Sequence, residues 1–304
     1  MSDIKLFQIA NHTATEIHGT TSPLEKALQV FIEANLESLL GIRFLASEYS
    51  TGKTHGGRID TLGIDENQCP VIVEYKRTSS ENVINQGLYY LDWLMDHQAE
   101  FKLLVLDRFG KGTADSIDWS APRLLCIAAD FTKFDSHAVQ QINRNIELIR
   151  YRRFGDDLLL FELVNAVSES TSSTLEYPVS SLPKKEGKHK LVVEWLKDLP
   201  KALEPVFNEL DTFVFSLGDD VQRKDMKLYI AYKRIRNFVT IVFQQKRIIL
   251  YLHLNPQWIS DSNGFLRDVS KGGHWGTGNA EIGIATLADL HKAKPYIEAA
   301  YEGR

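Results

Sequence analysis

Short apolar runs and longer amphipathic segments alternate along the first half of the chain, and polar stretches separate them. The clearest apolar run is Pro70–Lys76, a β-branched segment followed by polar residues, which predicts a buried strand. The same pattern predicts further strands at residues 43–49, 58–64, 102–107, 124–129 and 158–164. Helices are predicted at residues 24–40, 80–96 and 136–151. This α-β-β-β-α-β order, with additions, predicts an α/β fold.

The first predicted helix has start and stop signals at its two ends. Ser22 is a capping residue, Pro23 occupies the first helical position, and Glu25 lies in the first turn. Gly41 follows the last apolar residues and is expected to end the helix. The residues before Ser22 are expected to form an N-terminal arm with one short strand.

An acid and a base share one face of the strand Pro70–Lys76. Because alternate side chains of a strand point to the same side, Glu74 and Lys76 lie together. Asp60 belongs to the preceding predicted strand, and the polar run at residues 65–68 predicts a hairpin turn. The hairpin is therefore expected to bring Asp60 near Glu74.

Two neighbouring carboxylates repel each other unless a cation lies between them, and hard oxygen ligands suit Mg²⁺ or Mn²⁺. Asp60 and Glu74 are therefore candidate metal ligands, and the backbone carbonyl of Tyr75 is a candidate third ligand. Lys76 would orient or help to deprotonate a water and would offset charge on a phosphate. The alternative is a solvated salt bridge, because Glu-x-Lys occurs by chance in many strands.

Several short segments near residues 23–90 form a recognisable set: Pro23-Leu24-Glu25, Leu39-Leu40-Gly41, Ala46-Ser47-Glu48-Tyr49, Gly57-Arg58-Ile59-Asp60, Glu74-Tyr75-Lys76 and Gln86-Gly87-Leu88-Tyr89-Tyr90. On these segments the chain resembles, over residues 24–109, the PD-(D/E)xK nuclease superfamily. The resemblance implies a restriction-endonuclease-like fold, a mixed sheet flanked by helices. The likeness is to the nuclease domain of NucS-type endonucleases in particular. It implies that Asp60, Glu74 and Lys76 are the metal-binding and catalytic residues.

The resemblance implies supporting roles for three more residues. Glu25 matches an acid on the first helix, and Gln86 matches a glutamine that would contact a phosphate or a water. Arg58 matches an arginine that precedes the catalytic aspartate. Glu48 is either an extra acid of the site or part of a structural ion pair, and Glu37 is expected to be a solvated helix residue.

The segment Gly52-Lys53-Thr54 has the end of a phosphate-loop motif, but Ser47 stands where that motif requires glycine. The segment is expected instead to be a mobile loop near the substrate. Lys53 and His55 are its candidate phosphate contacts.

The length of 304 residues and a change in composition predict two domains. Residues 1–165 are expected to form the nuclease-like domain, and residues 166–190, rich in Ser, Thr and Lys, a flexible linker. Residues 191–304 are expected to form a second, smaller α+β domain. Its most recognisable segment is Gly273-His274-Trp275-Gly276-Thr277-Gly278. With this segment the half resembles an uncharacterised domain found in proteins labelled predicted transport protein, which implies architecture only. For His274 and the adjacent Trp275, a structural role and an unknown site both remain open.

Aromatic residues interleave with Lys and Arg in the second half of the chain. Such a pattern can hold single-stranded nucleic acid by stacking and phosphate contacts. The ordinary alternation of core aromatics and solvated charges explains it equally simply, and we favour that interpretation. The aromatics are Tyr229, Tyr232, Phe238, Phe243 and Tyr251.

The formal net charge of −5 differs from the basic footprint of a strong DNA binder. The chain lacks an apolar run long enough to span a bilayer, which counts against membrane contact and transport. The two cysteines, Cys69 and Cys126, are far apart and beside apolar residues, and are expected to be reduced core thiols in a cytoplasmic protein.

These patterns together predict a metal-dependent nuclease that hydrolyses phosphodiester bonds with Mg²⁺ or Mn²⁺. DNA is the expected substrate, in a repair or defence setting. The alternative is a non-catalytic module that binds nucleic acid or protein on the same fold. A homodimer is expected if the protein cuts both strands of a duplex.

Overall fold

The computed structural model describes residues 4–21, 25–76, 82–167, 190–260 and 264–304. The chain divides into two compact units, Met1–Ser170 and Thr171–Arg304. Three predicted features lie outside the described residues. They are the cap at Ser22 and Pro23, the start of the second predicted helix at residues 80–81, and residues 168–189 of the predicted linker.

The first unit contains helices and strands in alternation. They are β1 (Leu6–Ala10), β2 (Thr13–Ile17), β3 (Gly19–Thr20), α1 (Glu25–Ala34), α2 (Leu36–Leu40), β4 (Ile42–Ser50), α3 (Gly52–His55), β5 (Arg58–Asp65), β6 (Pro70–Lys76), α4 (Asn82–Asp96), α5 (Gln98–Asp115), β7 (Arg123–Ala128), α6 (Lys133–Gln140), β8 (Asn145–Phe154) and β9 (Leu158–Val167).

A mixed sheet forms the centre of this unit. Among the described residues its strand order is β3-β8-β7-β6-β5-β4, and β9 pairs with the other side of β8. Strands β6, β7 and β8 run parallel to one another, and the remaining pairs are antiparallel. The hairpin β5–β6 therefore lies near the middle of the sheet, where both its faces can be covered.

Helices cover the two faces of the hairpin. On one face Leu62 and Leu124 pack in a core with Trp93 of α4 and Phe101 of α5. The neighbouring side chain Thr61 points to the opposite face, because side chains alternate along a strand, and there its hydroxyl donates a 2.6 Å hydrogen bond to Glu33 of α1. The predicted fold class, a helix-flanked mixed sheet with a second α+β domain, is confirmed.

The strand predicted at residues 102–107 is wrong, because these residues belong to helix α5. Phe101 and Val105 are buried, whereas Leu103 and Leu106 are exposed. Burial four residues apart is the helical period, and a short run of Leu and Val could not show it on its own.

The helix predicted at residues 136–151 is also wrong in its larger part. Helix α6 begins earlier, where Thr132 caps it, and ends at Gln140. Residues 145–154 form the interior strand β8, in which the charged residues Glu147 and Arg150 are buried. Glu147 binds Arg123, and Arg150 binds Glu162. An interior strand that carries paired charges lacks the apolar pattern that usually identifies such a strand.

Smaller differences occur at the ends of the unit. Asn35 separates α1 from α2, so the first predicted helix is two helices, and Gly41 ends the second with a left-handed conformation as predicted. The N-terminal arm is a hairpin of two strands rather than one strand. Strand β9 extends to Val167 and includes the first two residues assigned to the linker.

The second unit is a sheet with helices on one face. Its elements are α7 (Val192–Lys197), α8 (Glu204–Ser216), β10 (Gln222–Asp225), β11 (Ile230–Lys233), β12 (Asn237–Phe243), β13 (Ile248–Leu252), α9 (Pro256–Ser260), β14 (Arg267–Asp268), β15 (Ala280–Ile284) and α10 (Leu287–Tyr301). The strand order is β10-β11-β12-β13-β15-β14, and every pair is antiparallel. Side chains of α8 and α10 form its core with alternate residues of the strands.

In both units, none of the helices within the described ranges combines the length and the hydropathy that a membrane crossing requires. The two cysteines, Cys69 and Cys126, are buried thiols outside any disulfide bond, as predicted.

Candidate active site

Strands β5 and β6 bring Asp60 and Glu74 together. Thr61 lies opposite Val73 in the antiparallel register, so Asp60 and Glu74 occupy the adjacent pair of positions. The backbone N–H of Asp60 donates to Glu74 Oε1 at 3.2 Å. The backbone N–H of Tyr75 donates to Asp60 Oδ2 at 3.0 Å. Each carboxylate is thus held by the main chain of the opposite strand.

Burial changes the protonation of this pair. Glu74 is fully buried, and burial together with the negative charge of Asp60 raises the pKa of Glu74 to about 9. Burial also raises the pKa of Asp60, against the effects of the Tyr75 hydrogen bond and the charge of Lys76. Within the described chain, Glu74 Oε2 lacks a hydrogen-bond partner. A buried, unpaired carboxylate oxygen is costly unless a proton or a cation neutralises it.

Lys76 and Glu25 meet beside the two carboxylates. Lys76 Nζ lies 3.5 Å from Glu25 Oε1, which ties the end of β6 to the start of α1. The positive charge of Lys76 lowers the pKa of both Asp60 and Glu74, although burial outweighs it. The structure therefore places Glu25, Asp60, Glu74 and Lys76 in one group.

The donor set suits a hard cation that keeps part of its water shell. Asp60 and Glu74 supply carboxylate oxygens, and Glu74 Oε2 is free to accept. Over the described ranges no group of three or more His, Cys, Asp or Glu side chains is arranged to hold a metal. Mg²⁺ is commonly held by one or two carboxylates with water and substrate oxygens, so these residues fit it. The Tyr75 side chain takes no part, because its hydroxyl lies 3.3 Å from the Thr61 hydroxyl on the other face.

Gln29 of α1 holds the main chain that carries Asp60, and the sequence patterns did not identify it. Its side chain is buried, and its Nε2 donates to the backbone oxygen of Asp60 at 2.8 Å and to Glu33 at 2.9 Å. Gln29 also approaches Ser47 Oγ at 3.3 Å. The signal that could have identified it is the polar spacing of Glu25, Gln29 and Glu33, which places all three on one side of an otherwise amphipathic helix.

Glu48 belongs to an ion pair in this structure. It has a left-handed backbone conformation (φ 53°), which is uncommon for a residue other than glycine. Its carboxylate lies 2.6 Å from Lys26 Nζ and 2.5 Å from Arg58 Nε. The Lys26 hydrogen bond, with the charges of Lys26 and Arg58, lowers the pKa of Glu48 despite some desolvation. Arg58 is otherwise exposed, which is suitable for a phosphate contact.

Tyr90 of α4 connects Gln86 to the strand that carries Asp60. Its hydroxyl accepts hydrogen bonds from the Gln86 side chain at 3.3 Å and from the Arg58 backbone at 3.1 Å. A Cβ atom on Gly57 would lie 2.5 Å from Tyr90 Cε1, so the close approach requires glycine there. Gln86 is thus positioned beside the end of β5 by Tyr90.

The segment around Lys53 is one helical turn, α3, rather than the expected loop. Gly56 ends the turn with a left-handed conformation. The Tyr89 hydroxyl donates to the backbone oxygen of His55 at 3.1 Å, and the His55 ring lies 5.3 Å from that of Tyr89. Lys53 is exposed, whereas His55 is half-buried. Glu37 is exposed on α2, as expected.

In the second unit, the segment that contains His274 has structural contacts. His274 Nε2 lies 3.0 Å from the backbone oxygen of Gly278, and its ring packs edge-on against Tyr251. Trp275 is exposed. Tyr232, Phe238, Phe243 and Tyr251 are buried, so these four rings are not exposed for stacking on bases.

The chain is similar to a known protein family and to an individual protein. Residues 192–303 match a family model described as a domain of unknown function, DUF5655. The chain is 28% identical over 304 residues to an uncharacterized protein of Haemophilus influenzae, covering 98% of this chain and 99% of that protein.

Two solved structures are similar to a part of the chain. One is described as an EndoMS-dsDNA2 complex and the other as a repair endonuclease from Pyrococcus abyssi. Each is 17% identical and covers 43% of this chain, with TM-scores of 0.29 and 0.27. The match spans about half of those chains, 46% and 48%. Similarity at this level carries no argument about activity, so the site is judged by its own geometry.

Proposed function

We propose that the first unit hydrolyses phosphodiester bonds in nucleic acid with the help of Mg²⁺ or Mn²⁺. The observation that carries the proposal is the buried pair of Asp60 and Glu74, with Glu74 Oε2 unpaired in the described chain and Lys76 in the same group. Structural ion pairs satisfy their oxygens, whereas this pair leaves one oxygen free for a ligand. The cation would polarise the phosphate and activate a water.

Side chains of the protein would hold the cation, position the site and contact the water or the phosphate. Asp60 and Glu74 hold the negative charge that attracts the cation, and Gln29 fixes the main chain that carries Asp60. Lys76 donates to the attacking water or to a phosphate oxygen. Glu25 keeps the ammonium group of Lys76 near the carboxylates of Asp60 and Glu74. The Tyr75 backbone carbonyl is our proposed third protein ligand.

Substrate contacts would come from charged and polar side chains at the rim of the site. Arg58 lies two residues before Asp60 on the same strand, so about 7 Å of chain separates them. Lys53 and His55 of α3 precede it, and Gln86 is held nearby through Tyr90. These groups suit a phosphate backbone even in a chain of net charge −5, because local charge decides such contacts.

We infer that DNA is the substrate, in repair or defence, and that the protein acts in the reducing cytoplasm, where its free buried thiols would persist. Cutting of both strands would require two sites, which a homodimer supplies.

Cleavage assays test the proposal directly. Labelled single-stranded, duplex, mismatched and flapped DNA, and RNA, would be incubated with Mg²⁺, Mn²⁺ or EDTA. We expect metal-dependent cutting that Asp60→Asn and Lys76→Ala abolish. Asp115→Asn and Lys102→Ala are matched controls, because that exposed pair forms an ion pair of its own at 2.9 Å.

A non-catalytic binding module is the second candidate, and the raised pKa of Glu74 favours it. A protonated Glu74 neutralises the pair without any metal. Mn²⁺ titration by electron paramagnetic resonance separates the two functions. Binding that Asp60→Asn removes supports the enzyme, whereas absence of both binding and cleavage supports the module.

A further inference from the structure

The N-terminal arm, strands β1 and β2, is a two-stranded hairpin. Its turn residues Asn11 and His12 both have left-handed backbone conformations, at φ 49° and 64°. Two such residues in succession give the turn whose twist matches that of a hairpin. Among the described strands, β1 and β2 pair with each other alone. The arm therefore forms a two-stranded sheet of its own.

The arm exposes large apolar side chains that a solvated hairpin does not need. Phe7 is 48% exposed and Ile9 is 78% exposed. Phe7 and Ile9 are two residues apart on β1, so they lie on the same face of the arm. Their cross-strand partners Glu16 and Ala14 share that face. An isolated two-stranded hairpin is marginally stable in water, so cover for this face would stabilise it.

Helix α1 exposes a second apolar surface in the same unit. Val30 is 54% exposed and Phe31 is 51% exposed, and Ala27 and Ala34 beside them are exposed as well. The spacing i, i+3, i+4, i+7 places these four residues in one stripe along the helix. The opposite side of α1, which carries Gln29, packs on the sheet.

We propose that the arm of one copy of this chain packs on the α1 stripe of a second copy, and that the exchange is reciprocal. The two surfaces match in length, since a ten-residue helix spans about 15 Å and a five-residue strand about 17 Å. In the described part of one copy, both surfaces are exposed. Reciprocal exchange about a two-fold axis covers both surfaces on both copies at once.

Charge points to a protein surface as the partner. In the arm, the charge of Lys5 is balanced by Glu16 at 4.0 Å, and the α1 stripe is uncharged. Neither surface offers the cations that phosphate groups or anionic lipids require. Each surface has no net charge and exposes two large apolar side chains.

The area is sufficient for a specific dimer. A buried aromatic side chain contributes roughly 150–250 Å² in total, and about half of that is exposed for Phe7 and Phe31. With Ile9 and Val30, two copies bring eight large side chains together. With their neighbours these bury on the order of 1,000 Å², the lower limit for a stable interface.

Oligomeric state in solution tests the contact without reference to cleavage. Multi-angle light scattering of the full chain should give a dimer. The variants Phe7→Ser/Ile9→Ser and Val30→Ser/Phe31→Ser should each give a folded monomer by circular dichroism. Leu103→Ser/Leu106→Ser removes two exposed apolar side chains of α5 and should remain a dimer. A monomeric wild type, or a dimer that survives both pairs of substitutions, overturns the proposal.

A disulfide trap tests the exchange itself. Ile9→Cys/Val30→Cys should oxidise to a covalent dimer on a non-reducing gel, because Cys69 and Cys126 are buried and do not compete. Each single substitution should give no such dimer. A disulfide formed within one chain would show that the arm folds onto its own α1, and would overturn the exchange.

Discussion

Asp60 and Glu74 face each other on antiparallel strands, and the backbone N–H of Asp60 donates to a Glu74 carboxylate oxygen at 3.2 Å. The arrangement holds two acids together in a buried place. Without a cation it favours a proton on Glu74, and with a cation it favours the ionised form. The pair therefore links metal binding, protonation and stability, and each link can be measured.

The metal-free protein should lose stability as the pH rises. The folded pKa of Glu74 is about 9, against an ordinary value of 4.5, so between these values the folded chain binds more protons than the unfolded chain. The unfolding free energy must then fall as pH increases through this range, and the raised pKa of Asp60 acts in the same direction. Urea unfolding in EDTA at about pH 5.5 and about pH 8.5 measures it. Glu74→Gln should flatten the dependence, whereas parallel curves for variant and wild type would contradict the pKa shift.

Mn²⁺ should raise the melting temperature most at alkaline pH and should release protons on binding. The cation competes with the proton on Glu74, so each binding event displaces part of a proton below about pH 9. Calorimetric titration in two buffers of different ionisation enthalpy counts the released protons. Asp60→Asn should abolish the thermal shift and Asp115→Asn should preserve it. Equal shifts in both variants would place the ion elsewhere.

Gln29→Leu should weaken the site although Gln29 touches no proposed ligand atom of the metal. The substitution leaves the buried backbone oxygen of Asp60 and the Glu33 carboxylate without this donor, which costs about 1–3 kcal/mol of unfolding free energy. We also expect weaker Mn²⁺ binding and faster hydrogen exchange of the Tyr75 amide, which donates to Asp60. Ser47→Ala removes only the longer 3.3 Å contact and should change neither. Unchanged Mn²⁺ affinity in Gln29→Leu would restrict Gln29 to a role in stability.

Gly57→Ala should destabilise the fold by about 1–3 kcal/mol, because the added methyl group would lie 2.5 Å from Tyr90 Cε1. Thermal or urea unfolding measures the loss. Tyr90→Leu in the same chain should recover part of it, so the two substitutions should be non-additive. Gly112→Ala is the matched control, since a Cβ there meets open space in a helix and should be neutral or stabilising. A neutral Gly57→Ala would show that Tyr90 moves freely.

Local patterns were enough to predict the hairpin β5–β6 and the approach of Asp60 to Glu74. The strand Pro70–Lys76 has the predicted bounds, because Pro70 and the β-branched run determine it within the segment. Alternation along a strand and a short polar turn involve neighbours in sequence alone. Gly41 ends its helix for the same local reason.

Only the tertiary structure decided the elements whose character depends on distant partners. Residues 145–154 form a strand because Arg123 and Glu162 pair with its buried charges, and residues 102–107 are helical because one side of α5 meets the core. The role of Gln29 likewise depends on Asp60, which lies 31 residues along the chain. Sequence therefore determined which residues make up the candidate site, while packing between distant segments decided how they are held. The physical reason is that a hydrogen bond or a buried face needs a partner. That partner is often distant in sequence, and only folding brings the two together.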